Sequence, residues 1–156
     1  MAKNVLIAFD DSENAMRSVN FVADYFARET AITLFSVLED TQALCSMNSP
    51  ELTPYFKSEQ QAFCSLEDKK RELIETAIQS ARNSLVNCGF GADQVRVKTQ
   101  QRAGSVAKDI IKEAETGYDA VVIGRRGVSA LQDFLFGSVA QKVLHGVKNS
   151  AVLIVP

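Results

Sequence analysis

Five short apolar runs alternate with four amphipathic stretches along this chain, and that alternation leaves few folds open to it. Val5-Leu6-Ile7-Ala8-Phe9 is a continuous apolar run of strand length, as a strand buried on both faces requires. It stops at Asp10-Asp11-Ser12, where Asp11 or Ser12 can cap a helix. Ala15, Val19, Val22 and Phe26 then recur at helical spacing. Residues 31–38 (AITLFSVL) read as the second strand. Residues 39–57 are polar and hold Pro50 and Pro54, which predicts a long loop with room for a short helical piece. From about Ser58 to Asn87 the spacing is helical, with Leu66, Leu73, Ile74, Ala77, Ala81 and Leu85 on one face and Gly89 and Gly91 ending it. Val95, Val97 and Thr99 alternate within a third strand, 94–100. Gly104-Ser105 opens a helix with Val106, Ile110, Ile111 and Ala114 inward, stopped at Gly117. A fourth strand at 120–123, a last helix at 138–147 and a last strand at 151–155 complete the order. Strict alternation of this kind predicts one α/β domain over residues 1–156, an open parallel sheet with helices on both faces. Such sheets bind ligands beyond the carboxyl ends of their strands.

Bulk properties remove several classes of function. A net charge of −2 offers no electrostatic footprint for nucleic acid and no basic helix for a membrane surface. The apolar runs fall far short of the ~20 residues a membrane span needs. Met1-Ala2-Lys3-Asn4 leads straight into a strand with no signal-peptide pattern, so cytoplasmic residence is the expectation. Three cysteines, Cys45, Cys64 and Cys88, are an odd count at wide spacing that fits neither a disulfide framework nor a zinc site, so three reduced thiols are expected, with Cys45 in a polar segment the candidate for a reactive one.

The chemistry concentrates near the end of the chain, in Gly124-x2-Gly127-x9-Gly137-Ser138. The fourth strand ends in glycine, a loop follows, and the last helix starts with Gly-Ser. That is how a chain presents bare backbone N–H groups to a phosphate. An ordinary helix cap is the alternative for Gly137-Ser138 alone; the upstream glycines favour phosphate. Arg125 and Arg126 lie between the first two glycines and suit a phosphate or carboxylate, or simply solvent; Arg126, beside Gly127, is the better candidate. Asp10 and Asp11 suit a Mg²⁺ pair, ribose or base recognition by Asp10, or helix capping. His145 has no Ser or Cys partner and reads as structural or surface. The Walker and dinucleotide fingerprints are both absent.

On these residues the chain resembles the universal stress protein family, in its ATP-binding branch. The glycine motif matches in full, and the opening Val5 to Ser12, the stretch Gly104 to Ile110 and the end Ala151 to Pro156 are similar to the family's corresponding segments. The resemblance implies a Rossmann-like sheet of the adenine nucleotide alpha hydrolase type, with strand order 3-2-1-4-5. It implies ATP, or AMP or another adenine nucleotide, with Mg²⁺ as a candidate companion. Ala8, Phe9 and Asp10 would line the adenosine side and Val37 would touch adenine. Ile123, Gly124, Arg126 and Gly127 would border ribose and phosphate, and Gly137, Ser138 and Val139 would cradle the phosphates. A homodimer through the last strand is also implied. The chain departs from the family's common pattern at Asp11, often Gly, at Val106, often Pro, and at Ala140, often Ser or Thr.

The expected function is a nucleotide-dependent stress-response regulator, not a fast enzyme, because no residue is placed as a general base; any ATP hydrolysis would be slow or partner-dependent. Two other classes are open. A phosphoacceptor module needs an Asp after the third strand, where Thr99-Gln100-Gln101-Arg102 stands, and a Lys after the fifth, where the chain reads Pro156. A nucleotide-free interaction module would use the 39–57 loop with its Pro50-Glu51-Leu52-Thr53-Pro54 stretch.

Overall fold

The computed structural model describes residues 3–10, 12–126 and 136–156. Its elements, in order, are β1 (Asn4–Ala8), α1 (Glu13–Tyr25), β2 (Ala31–Leu38), α2 (Gln42–Cys45), α3 (Pro54–Asn87), β3 (Val95–Gln101), α4 (Val106–Ala114), β4 (Ala120–Gly124), α5 (Ser138–Gly146) and β5 (Ala151–Val155). The five strands form one parallel sheet in the order β3-β2-β1-β4-β5. The expected strand order and the α/β alternation are both present.

The alternating side chains of β1 explain the two layers. Val5, Ile7 and Phe9 face one core with Val19 and Val22 of α1 and Ile78, Ala81 and Leu85 of α3. Leu6 and Ala8 face the other with Ala107 and Ile110 of α4 and Ala140 and Val143 of α5. Because both faces of β1 are covered, its run is apolar throughout. Ser12 is the α1 cap, its hydroxyl accepting the Ala15 N–H at 3.2 Å. Asp11 lies outside the described residues.

Three expectations need correction, and all concern one region. The segment 39–57 is mostly loop and holds the short helical piece expected, α2, but its last four residues are the first turn of α3. Thr53 caps α3 by accepting the Phe56 N–H at 3.2 Å, and Pro54 occupies the first turn, where its missing N–H is harmless. The helix therefore starts four residues before the expected Ser58. Leu66 and Leu73 do not point inward; they are 53% and 60% exposed. At 34 residues α3 is about 50 Å long, far beyond any strand here, so its first half has no sheet to cover. Finally, two of the three cysteines are not thiols. Cys45 and Cys64 form a disulfide, with Cα atoms 5.9 Å apart, because α2 folds back along α3; Cys88 is free and exposed.

A polar cluster around the buried Glu113 joins β3 to α4. Glu113 is buried, accepts from Lys98 Nζ at 2.6 Å and from the Tyr118 hydroxyl at 2.9 Å. The hydrogen bond to Glu113 raises Lys98 above its ordinary value of 10.5, and burial, helped by Glu113, raises Tyr118 above 10.0. Both groups hold their protons more tightly folded than unfolded. Their contribution is therefore complete below the unfolded values and is lost as pH rises through the higher folded ones. Urea midpoints should fall between about pH 9 and about pH 11, and Glu113→Gln should make that fall shallower; an equal fall in the variant would contradict the assignment.

Candidate functional site

At the carboxyl rim of the sheet, β1 lies between β2 and β4, and the chain leaves β1 for one face through α1 and reaches the other through α4 and α5. The divergence opens a crevice there, as the rule for strand-order reversal requires. It is a cavity of about 750 Å³, within the usual range for small-molecule sites. Ala8, Phe9 and Asp10 continue from β1 into its wall, Val37 comes from β2, and Ile123, Gly124 and Arg126 from the end of β4. Gly137, Ser138 and Val139 close it from the start of α5. The structure thus brings together the predicted residues, except Gly127, which lies outside the described residues.

The start of α5 is the polar end of the cavity. Gly137 is its N-cap and offers no side-chain cap. The helix carbonyls therefore leave the N–H groups of Ser138, Val139 and Ala140, all lining the cavity, without intrahelical acceptors. The Gly137 N–H donates to the Arg125 carbonyl at 2.7 Å, which ties the start of α5 to the end of β4. The positive end of the helix dipole adds to this field.

Gly124 has a separate reason to be glycine. A Cβ there would sit 2.8 Å from Asn14 Cβ and 3.0 Å from the Asn14 backbone. The same Asn14 donates its Nδ2 to the Arg126 carbonyl at 2.7 Å, fastening the loop's start to α1. Asp10 accepts the Ser12 N–H at 2.9 Å, so its carboxylate is held at the rim by the turn into α1. Among the described residues the Nε atoms of Arg125 and Arg126 are buried and meet no acceptor. Arg126 also lines the cavity, where its guanidinium brings a fixed positive charge. No three His, Cys, Asp or Glu side chains converge on a metal position among the described residues. His145 is exposed in the last turn of α5.

One wall escaped the sequence reading. Glu67, Lys70, Arg71 and Ile74 of α3 line the cavity, with Glu39 beyond β2. Glu67 and Lys70 pair at 2.6 Å. Their spacing does put Glu67, Arg71 and Ile74 on one helical face. That this face overhangs the strand ends follows only from the length of α3.

The sequence profile of the universal stress protein family matches residues 1–156. The chain belongs to that family. A universal stress protein of Mycolicibacterium smegmatis is 31% identical over 85 residues, 54% of this chain; the match spans only 29% of that relative's length. The solved structure of the hypothetical protein MJ0577 superposes with a TM-score of 0.75 at 23% identity, covering 99% of this chain and 96% of its own. Universal stress protein UspA from Lactobacillus plantarum gives 0.70 at 18% identity, covering 99% and 97%. Two further family structures are complexes: one with cAMP (TM-score 0.63, 17% identity, covering 99% and 96%) and one from Archaeoglobus fulgidus with dAMP (0.57, 18%, covering 100% and 98%). These similarities carry the fold of the family member described here.

The glycines of the motif should separate by experiment. Gly124→Ala forces backbone against backbone and should cost about 1–3 kcal/mol in urea unfolding. Gly137 holds φ −66°, ψ 155°, open to any residue, so Gly137→Ala should cost under about 1 kcal/mol. Equal losses would contradict the packing role of Gly124.

Proposed function

We propose that this universal stress protein binds an adenine nucleotide, ATP foremost, in the rim cavity, and acts as a regulator through the bound state. The observation that carries the reading is the uncapped start of α5, whose Ser138, Val139 and Ala140 N–H groups line a cavity large enough for a nucleotide. Arg126, a cation in the cavity wall, supports an anionic ligand. Family structures holding cAMP and dAMP support the adenine class. In this reading Ala8, Phe9 and Val37 pack on adenosine, Asp10 and Gly124 border the ribose, and Arg126, Gly127, Gly137, Ser138 and Val139 surround the phosphates. Mg²⁺ would ride on the phosphates, with Asp10 as a candidate carboxylate for it. Regulation rather than turnover fits a site whose lining carboxylates, among the described residues, are already engaged: Asp10 by the Ser12 N–H, Glu39 by Arg102 and Glu67 by Lys70. Cytoplasmic residence belongs to the same proposal; no helix among the described residues is long and apolar enough to cross a membrane.

Calorimetric titration tests the site. Wild-type protein should take up one Mg-ATP per chain, and Gly137→Leu should lose at least about tenfold in affinity by filling the cradle, with its circular dichroism unchanged. Unaltered affinity in the folded variant would remove the phosphate site from α5.

A homodimer through β5 completes the proposal. The strand is a sheet edge, and Val152, Leu153 and Ile154 are only partly buried. Beside it Leu144, Val152 and Ile154 line a shallow apolar hollow of about 460 Å³. Such an edge invites pairing. Sedimentation should give twice the chain mass, and Ile154→Lys should give the single mass; a monomeric wild type would contradict the pairing.

A further inference from the structure

The first half of α3 is an arm with little to hold it, yet it forms a wall of the cavity. The buried residues of α3 are Ile78, Ala81 and Leu85, all near its end. Before them Phe56, Phe63, Leu66 and Leu73 are exposed. A helical segment with so little burial opens locally at small cost. Two fastenings hold it to the segment that leaves β2. One is the Cys45–Cys64 disulfide, which spans 19 residues. The other is Gln60, whose Nε2 donates to the carbonyls of Leu44 and Met47, the latter at 3.0 Å. Glu67, Arg71 and Ile74 follow Cys64 within three helical turns and line the cavity. Glu39, at the other end of the tethered segment, lines it too.

We propose that Cys45 and Cys64 are a reversible thiol–disulfide site, whose closure holds the α3 wall against the cavity and so strengthens nucleotide binding. The proposal rests on the nucleotide reading above. Its partner is a low-molecular-weight thiol–disulfide couple of the glutathione type. Cys45 is exposed and Cys64 partly buried, which fixes the order of events. The Cys45 thiolate attacks the small disulfide, releasing one small thiolate and leaving a mixed disulfide. The Cys64 thiolate then attacks the Cys45 sulfur and releases the second. Two protein thiols are oxidised, one small disulfide is reduced to two thiols, and the two protons pass to those leaving thiolates. Reduction runs the same exchange backwards. Reduced, the arm loses its covalent tie and keeps the Gln60 bonds, and the cavity must pay in ordering entropy to regain its wall.

The test compares ATP affinity in protein equilibrated with oxidised glutathione and in protein reduced with a phosphine. Reduction should weaken binding about tenfold, within the usual range for two coupled sites. Cys45→Ser should bind like the reduced form under both conditions. By reciprocity, saturating ATP should make the disulfide harder to reduce by the same factor. Equal affinity in the two states overturns the proposal, as does peptide mapping that finds Cys45 and Cys64 still free after oxidised glutathione. If neither state binds any adenine nucleotide, the nucleotide reading falls, and amide exchange over residues 54–75 decides the tether. Faster exchange on reduction supports it, and unchanged exchange overturns it.

Discussion

Everything distinctive about this molecule depends on one constraint: β1 is covered on both faces, and the layers that cover it diverge beyond its carboxyl end and leave a cavity there. The residues that follow β1 leave for the α1 layer, and the helices reached after β3 and β4 fill the opposite layer. The gap is therefore a property of the sheet order, and the cavity inherits its floor from residues whose first role is the core. Ile123 is an example, being 6% exposed and part of the α4 and α5 cluster while also lining the cavity.

The glycine motif at this rim divides its labour. Gly124 lets α1 approach the end of β4, and the Asn14 amide uses that approach to anchor the Arg126 carbonyl. Gly137 donates its N–H to Arg125 and caps α5 without a side chain. The first glycine thus sets how closely α1 meets the end of β4, and the last leaves the first N–H groups of α5 uncapped at the cavity. Spacing that looks like a single binding signature is, physically, a packing device joined to a polar cradle. Substitutions at the two ends act on different quantities for that reason.

Much of this was legible in the residues. Apolar runs buried on both faces announce themselves, and the order of strands and helices followed from their alternation. The predicted lining residues meet at one cavity because each stands at a strand end or a helix start, places that sequence patterns mark well. The arm was not legible for physical reasons. Leu66 and Leu73 have the spacing of a buried face, but α3 outruns the sheet, and periodicity carries no information about where a partner layer stops. Thr53-Pro54 did signal the true start of α3, a cap followed by proline, and was outweighed by the polar character of the segment around it. The Cys45–Cys64 pairing depends on α2 turning back along α3, a tertiary event that cysteine count and spacing do not encode. The same arm then explains why charged residues of α3 stand at a cavity otherwise built from strand ends.

The central claim is that the rim cavity holds an adenine nucleotide. Denaturing extraction of freshly purified protein, with mass spectrometry of the released small molecules and of the same protein after incubation with Mg-ATP, tests it most directly. The account predicts an adenine nucleotide at close to one per chain, carried through purification or taken up on incubation. Protein that releases none and takes up none would contradict it, and the cavity would then belong to a nucleotide-free member of the family.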